Sequence, residues 1–215
     1  MRDSHRNPAG GAWTRRELAT LDRLKTPHAI QNFLDRIPYS ADPVYRSPRS
    51  VLCDRKAHCF DGALFAAAAL RRLGHPPLVV DMRAENDDDH MIAVFRHRGR
   101  LGAVAKSNFV GLRYREPLFR SLRELVLSYF EDFYNVAREK TLRSYSVPLD
   151  LARFDALWWE TRDDGLDVIA ARLDTARHFP VLTRKQAAEL AAVDPRRYRA
   201  GLMGSNPRGL YKPGR

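Results

Sequence analysis

The residues ALFAAAALRRLGH at 63–75 limit the fold of this chain more than any other stretch. Alanine and leucine at this density favour a helix, Arg71 and Arg72 give it a polar last turn, and Gly74 stands where helices commonly end. Read back to its start, the helix runs from about Cys59 to Leu73. Its faces are apolar nearly all round. A helix without a polar face is stable only when enclosed, so the rest of the chain has to supply layers around it. With hydrophobic residues at 44% of 215, there is material for one core of ordinary size.

The flanking segments supply those layers. Thr14 to Leu24 carries a threonine cap, Glu17 in the first turn and leucines at 18, 21 and 24, which predicts an amphipathic helix. A second short helix is predicted over Pro27 to Arg36, with proline in its first turn. Pro38, Pro43 and Pro48 then punctuate a stretch that reads as a long loop without regular structure. Beyond the central helix, PLVVDM from Pro77 to Met82 is short and β-branched, as a strand is. After the acidic loop Glu85-Asn86-Asp87-Asp88-Asp89, residues 90–96 and 101–107 read as two strands of an antiparallel hairpin turning at residues 97–100. From Leu118 onward the pattern becomes helical, with helices expected in 121–135 and near 151–160, 165–177 and 183–192. The expected fold is α+β: a buried central helix packed on an antiparallel sheet, with helices at both ends. Residues 1–12 read as a disordered N-terminus, 13–150 as the main domain, 151–203 as a helical extension and 204–215 as a basic flexible tail.

The formal charge of +11 raises the question of nucleic acid, and its distribution answers most of it. Residues 1–56 hold 11 basic and 6 acidic residues, 57–183 hold 18 and 18, and 184–215 hold 8 and 2. The excess lies entirely in the ends, where solvated charge keeps a protein soluble. The opening residues MRDSHRNPAGGAWTRRELATL lack the apolar run of a secretory signal, and no segment reaches the roughly 18 apolar residues of a membrane span. The expected location is the cytoplasm, with no membrane partner.

Two cysteines, Cys53 and Cys59, stand six apart, too few for a disulfide framework and wrongly spaced for a zinc knuckle. Cys59 is the informative one, because it opens the buried helix. A cysteine nucleophile reacts as thiolate, and the positive end of a helix together with a nearby imidazolium, from His90 or His58, lowers its pKa. On that basis Cys59, not Cys53, is expected to react, with a midpoint below that of a free thiol. The plainer alternative is a buried thiol serving as a small apolar side chain. The hairpin adds partners: if the turn is centred on Gly99, cross-strand residue numbers sum to about 198 and Asn108 lies opposite His90. A centre half a residue earlier places Ser107 there instead. Either side chain could accept a hydrogen bond from the second nitrogen of His90.

A cysteine opening a central helix, then a strand, then a histidine starting a hairpin whose return strand brings Asn, resembles the transglutaminase-like branch of the papain-type cysteine enzymes. More narrowly, HCFDGALFAAAALRRLGHPPLVVDMRAENDDDHMIAVFRHRGRLGAVAKSNFVGLRYREP is similar to a bacterial group within that branch, over roughly residues 45–145. The resemblance implies a papain/transglutaminase-like core with Cys59 as nucleophile, His90 as general base and acid, and Asn108 as the orienting residue in place of the usual aspartate. It implies acyl transfer or hydrolysis at an amide or peptide bond of a protein substrate, through a thioester, without a cofactor or metal.

Two other classes compete. A metal-dependent hydrolase would draw on Asp87, Asp89 and His90, with Asp81 from the preceding strand. A non-catalytic module would use the basic ends to bind nucleic acid or protein, with Arg196-Arg197-Tyr198-Arg199 interleaving an aromatic ring with cations. Trp158-Trp159 reads as helix packing, and Lys106 as either a surface charge or a guide for an anionic substrate.

Overall fold

In the computed structural model, which describes residues 11–212, every residue from Phe60 to Leu70 is buried, so the all-round apolar helix is enclosed as its composition requires. In chain order the helices are α1 (Arg15–Leu21), α2 (Pro27–Asp35), α3 (Pro48–Asp54), α4 (Cys59–Arg72), α5 (Leu122–Leu127), α6 (Leu166–Asp174), α7 (Arg184–Ala188) and α8 (Pro195–Gly201). The strands are β1 (Leu78–Ala84), β2 (His90–His97), β3 (Arg100–Val104), β4 (Arg115–Phe119), β5 (Leu142–Ser146), β6 (Leu149–Asp150) and β7 (His178–Pro180). They form one antiparallel sheet in the order β4-β3-β2-β1-β5-β7, with β6 also paired to β1. The fold is the α+β arrangement of a central helix on an antiparallel sheet.

Alternation along the strands sorts side chains onto two faces. Val79, Met91, Ala93 and Phe95 join the α4 core, while Val80, Ile92 and Val94 face a second core with Leu125, Tyr129 and Phe133. Burying Leu64, Phe65 and Leu70 of α4 contributes roughly 1.5–3 kcal/mol each. Small residues let the backbones close up: a Cβ on Gly62 would lie 2.2 Å from Cβ of Lys106. Lys106 itself is buried, its Nζ donating to the carbonyls of Leu34 (2.8 Å) in the last turn of α2 and Ile37 (2.6 Å) just beyond it. Burial lowers its pKa to about 8. It is therefore neither a surface charge nor a guide for substrate.

Local signals explain the agreements and the misses. Thr14 and Glu17 form the capping box that starts α1, and Arg98 and Gly99 both take positive φ in the two-residue turn between β2 and β3. The loop expected to lack regular structure contains α3, because Ser47 caps it and Pro48 occupies the first turn. The helix expected over 121–135 is only α5 followed by a short 3₁₀ turn, and β4, β5 and β7 lie in segments read as helical or left unassigned. These strands carry weak hydrophobic alternation and are held by the strands they pair with.

The stretch read as a C-terminal helical extension supplies β7 to the sheet and Trp159, Leu166, Ile169 and Leu173 to the α4 core. Trp159 is buried whereas Trp158 is half-exposed at a positive φ. Residues 1–10 of the expected disordered N-terminus lie outside the described residues. No helix among the described residues is long and apolar enough to cross a membrane.

Candidate active site

The N-terminus of α4 is fixed before Cys59 is reached. His58 is the cap, its Nδ1 accepting from the N–H groups of Phe60 (3.1 Å) and Asp61 (3.5 Å). That lone pair is thus committed to the helix, and burial lowers the His58 pKa to about 4, so His58 supplies no imidazolium to the thiol. Asp61 closes the box, accepting from the N–H of His58 at 3.2 Å and of Arg46 at 2.8 Å. Fully buried Asp61 and the buried guanidinium of Arg46 stand 3.7 Å apart, and Arg46 also reaches Asp54 and Ser40. Through this network the proline-marked loop is tied to the helix start. Its beginning is pinned as well, by the Ser40 N–H donating to the Ala57 carbonyl at 3.0 Å, which sets Tyr39 beside Cys59.

Cys59 lines two openings. One is a cleft of about 470 Å³ that also includes Tyr39, Tyr45, Phe60 and Met91. The other is a small cavity of about 40 Å³ shared with His90, Ser107, Asn108 and Leu112. Cys59, His90 and Asn108, predicted from the sequence, are therefore brought to one cavity. The thiol lies 3.7 Å from the Asp89 carbonyl. Burial pushes its pKa up to about 12, and the carboxylates of Asp88 and Asp61 push the same way against the main-chain N–H groups of Met91 and Phe60. Against the expectation of a thiol pKa below that of a free cysteine, desolvation here works in the opposite direction to the helix terminus and outweighs it.

The histidine also has a different partner from the one predicted. Nε2 of His90 is 2.8 Å from the carbonyl of Leu112, and its ring meets Phe133 edge to face. A carbonyl only accepts, so Nε2 carries the proton and Nδ1 is left as the base. Burial lowers the His90 pKa to about 4 despite the Leu112 carbonyl. Cysteine and histidine are both neutral in the resting site. The hairpin register sums to 197, with Ala93 opposite Val104, so the half-residue alternative is the correct one. The ladder ends at Val104, however, before Ser107 or Asn108 can pair with His90. Ser107 Oγ instead accepts from the N–H of Phe109 at 3.0 Å.

Asn108 has other work. Its Nδ2 donates to the carbonyls of Asn206 (2.9 Å) and Gly209 (3.0 Å), and its Oδ1 accepts from the Asn206 N–H at 2.7 Å. The described part of the tail expected to be flexible is thus docked on the site. Three participants had no readable signal: the main-chain carbonyl of Leu112, Tyr39 in a loop without pattern, and the segment 206–211.

The rival sites do not assemble. Asp81 meets Nε2 of His178 at 3.0 Å, Asp87 accepts from Thr141 Oγ1 at 2.8 Å, and Asp89 accepts from the Ala84 N–H at 2.8 Å. No group of three or more His, Cys, Asp or Glu side chains among the described residues is placed to hold a metal ion. In the basic cluster, Arg197 pairs with Asp132 at 2.8 Å, and Tyr198 packs on Tyr134 with its hydroxyl on the Val136 carbonyl.

The thiol pKa has a direct consequence for labelling. Iodoacetamide at pH 7 should modify the exposed Cys53 before Cys59, and the Cys59 rate should still climb, about tenfold per pH unit, between pH 8 and 10. Peptide mapping of a pH series reads both rates. A Cys59 rate that levels off below pH 8 would show that the thiol is not held up.

A scan of protein-family models matches none, and no curated protein matches the chain. Among solved structures, Legionella pneumophila LapG is similar at 17% identity and a TM-score of 0.39, over 68% of this chain and 86% of that one. An EGTA-treated form of the same protein gives 17%, 0.39, 68% and 87%.

Proposed function

We propose that this protein is a cysteine-dependent acyl transferase or hydrolase acting on an amide or peptide bond, with Cys59 as nucleophile and His90 as base. The observation that carries this reading is the shared cavity: the thiol at the head of the buried helix and an imidazole whose Nε2–H is tied to the Leu112 carbonyl, leaving Nδ1 unprotonated. With both groups neutral at rest, the proton leaves sulfur for Nδ1 as the carbon–sulfur bond forms, rather than in a preformed ion pair. The Tyr39 hydroxyl, which at rest meets both the thiol and the Cys59 N–H, turns together with that N–H to the oxyanion as the adduct forms. Collapse of the tetrahedral adduct breaks the carbon–nitrogen bond as the imidazolium protonates the leaving amine. Water or an amine then takes the acyl group from the thioester.

Acid-quenched incubations of the full chain with a mixture of random decapeptides test this by intact mass. An acyl adduct on Cys59, released by hydroxylamine and absent from Cys59→Ala, is the expected result. Equal product release by Cys59→Ala would remove the reading.

A further inference from the structure

The segment docked on Asn108 says what kind of chain the cleft accepts. Asn108 is buried, and all three hydrogen bonds of its side chain go to main-chain groups of Asn206 and Gly209, contacts that any peptide of the same shape could make. On the opposite flank the Asn206 side chain donates to the Tyr39 carbonyl at 3.0 Å. Residues 206–209 form a tight turn, closed by the Gly209 N–H on the Asn206 carbonyl at 3.0 Å. At its end a Cβ on Gly209 would lie 2.9 Å from ring carbons of Tyr39 and 3.4 Å from Nδ2 of Asn108. The φ of Gly209 is not in the left-handed region, so what this position asks for is space.

Arg208 before it is exposed and pairs with none of the described carboxylates, but the charge of the cleft around it is one-sided. The 470 Å³ cleft, of a size that takes several side chains, is lined by Asp42, Asp81, Asp88, Asp89 and Asp174, and its one arginine is Arg208 of the docked segment. Asp42 is matched by Arg46 and Lys56, and Asp81 by His178 and Arg83. Asp88 and Asp174 pair with no cation among the described residues, and Asp88 lies close enough to Cys59 to act on its thiol.

We infer that the cleft beside Cys59 binds a basic peptide segment that turns at a glycine, Arg–Gly in the manner of Arg208-Gly209, and that residues 206–211 are its internal occupant. This deepens the cysteine-enzyme reading by naming the substrate class. A substrate of this kind displaces the segment, takes over its bonds to Asn108, and sets its cationic side chain among Asp88 and Asp174.

The test uses the full chain and alkylation of Cys59 at pH 9, mapped by peptide, with Cys53 as the internal control. Gly209→Val should unseat the segment by its clash with Tyr39 and speed Cys59 alkylation about fivefold or more, and Asn206→Ala should act in the same direction. The octapeptide SNPRGLYK, matching residues 205–212, should then protect Cys59 in the Gly209→Val chain. The same peptide with Glu for Arg, or with Val for Gly, should need at least about tenfold more for equal protection. Equal protection by the acidic peptide, or no change in Cys59 alkylation in either variant, would overturn the inference. Protection of Cys59 without any turnover of the octapeptide would uphold this specificity while removing the enzymatic reading, so the two fail separately.

Discussion

Replacing His90 by glutamine should lower acyl transfer at Cys59 by about 10²–10⁴-fold while the chain remains folded. Glutamine retains an amide N–H able to reach the Leu112 carbonyl, which His90 holds at 2.8 Å, so the buried acceptor keeps a partner. What is lost is the proposed base. Alanine at this position would instead leave the carbonyl unpaired and a void against Phe133, confounding activity with stability. Asn108→Ala serves as the contrast. If Leu112 orients the imidazole and Asn108 holds peptide main chain, this substitution should raise KM far more than it lowers kcat. Steady-state kinetics on both variants decide the matter, and a kcat loss in Asn108→Ala as large as in His90→Gln would restore asparagine as the orienting residue.

The second large effect concerns stability. Asp61→Ala should cost about 3 kcal/mol, toward the lower end for breaking a buried ion pair, because Arg46 keeps Asp54 as a partner. The substitution strands the Arg46 and His58 N–H groups and removes the far end of the capping box. Its pH dependence has a definite sign. Burial raises the Asp61 pKa to about 7, against the opposing pull of those N–H groups and of the Arg46 guanidinium. A carboxyl raised on folding binds its proton more tightly in the native chain, so its contribution improves as pH falls from about 7 toward its unfolded value near 4. The cost of Asp61→Ala should accordingly be larger at pH 5 than at pH 8. Denaturant unfolding at the two pH values measures it, and a loss below about 1 kcal/mol at both would show that the network does not hold the loop.

Much of the architecture was legible because it is written in side chains. The alanine-rich run announced a buried helix, Thr14 and Glu17 announced the first cap, and the β-branched segments around residues 78 and 92 announced the centre of the sheet. The outer strands were not legible, since β4, β5 and β7 have little alternation of their own and owe their conformation to the strands they pair with. At the site, the cysteine and histidine could be picked out by position, and both line one cavity. Their chemistry could not, because a thiol pKa depends on how completely the thiol is desolvated, and a helix terminus signals only the opposing effect. Asn108 was found for a role that the register does not allow. The two-residue turn fixes β2 against β3 half a residue from the assumed centre, and the ladder stops before Asn108.

That His90 leans on the Leu112 carbonyl has a consequence for how this site tolerates change. A main-chain oxygen is present whatever residue occupies position 112, so no single substitution can delete it. Sensitivity shifts to the groups that set where the oxygen lies. These include Arg115, which donates to the Gly111 carbonyl at 2.8 Å, and Gly111, where a Cβ would stand 2.3 Å from Cβ of Asp132. Leu112 is itself buried in the second core, so a deep mutational scan should show apolar exchange tolerated at position 112 while its neighbours tolerate little, unlike the pattern left by a side-chain triad.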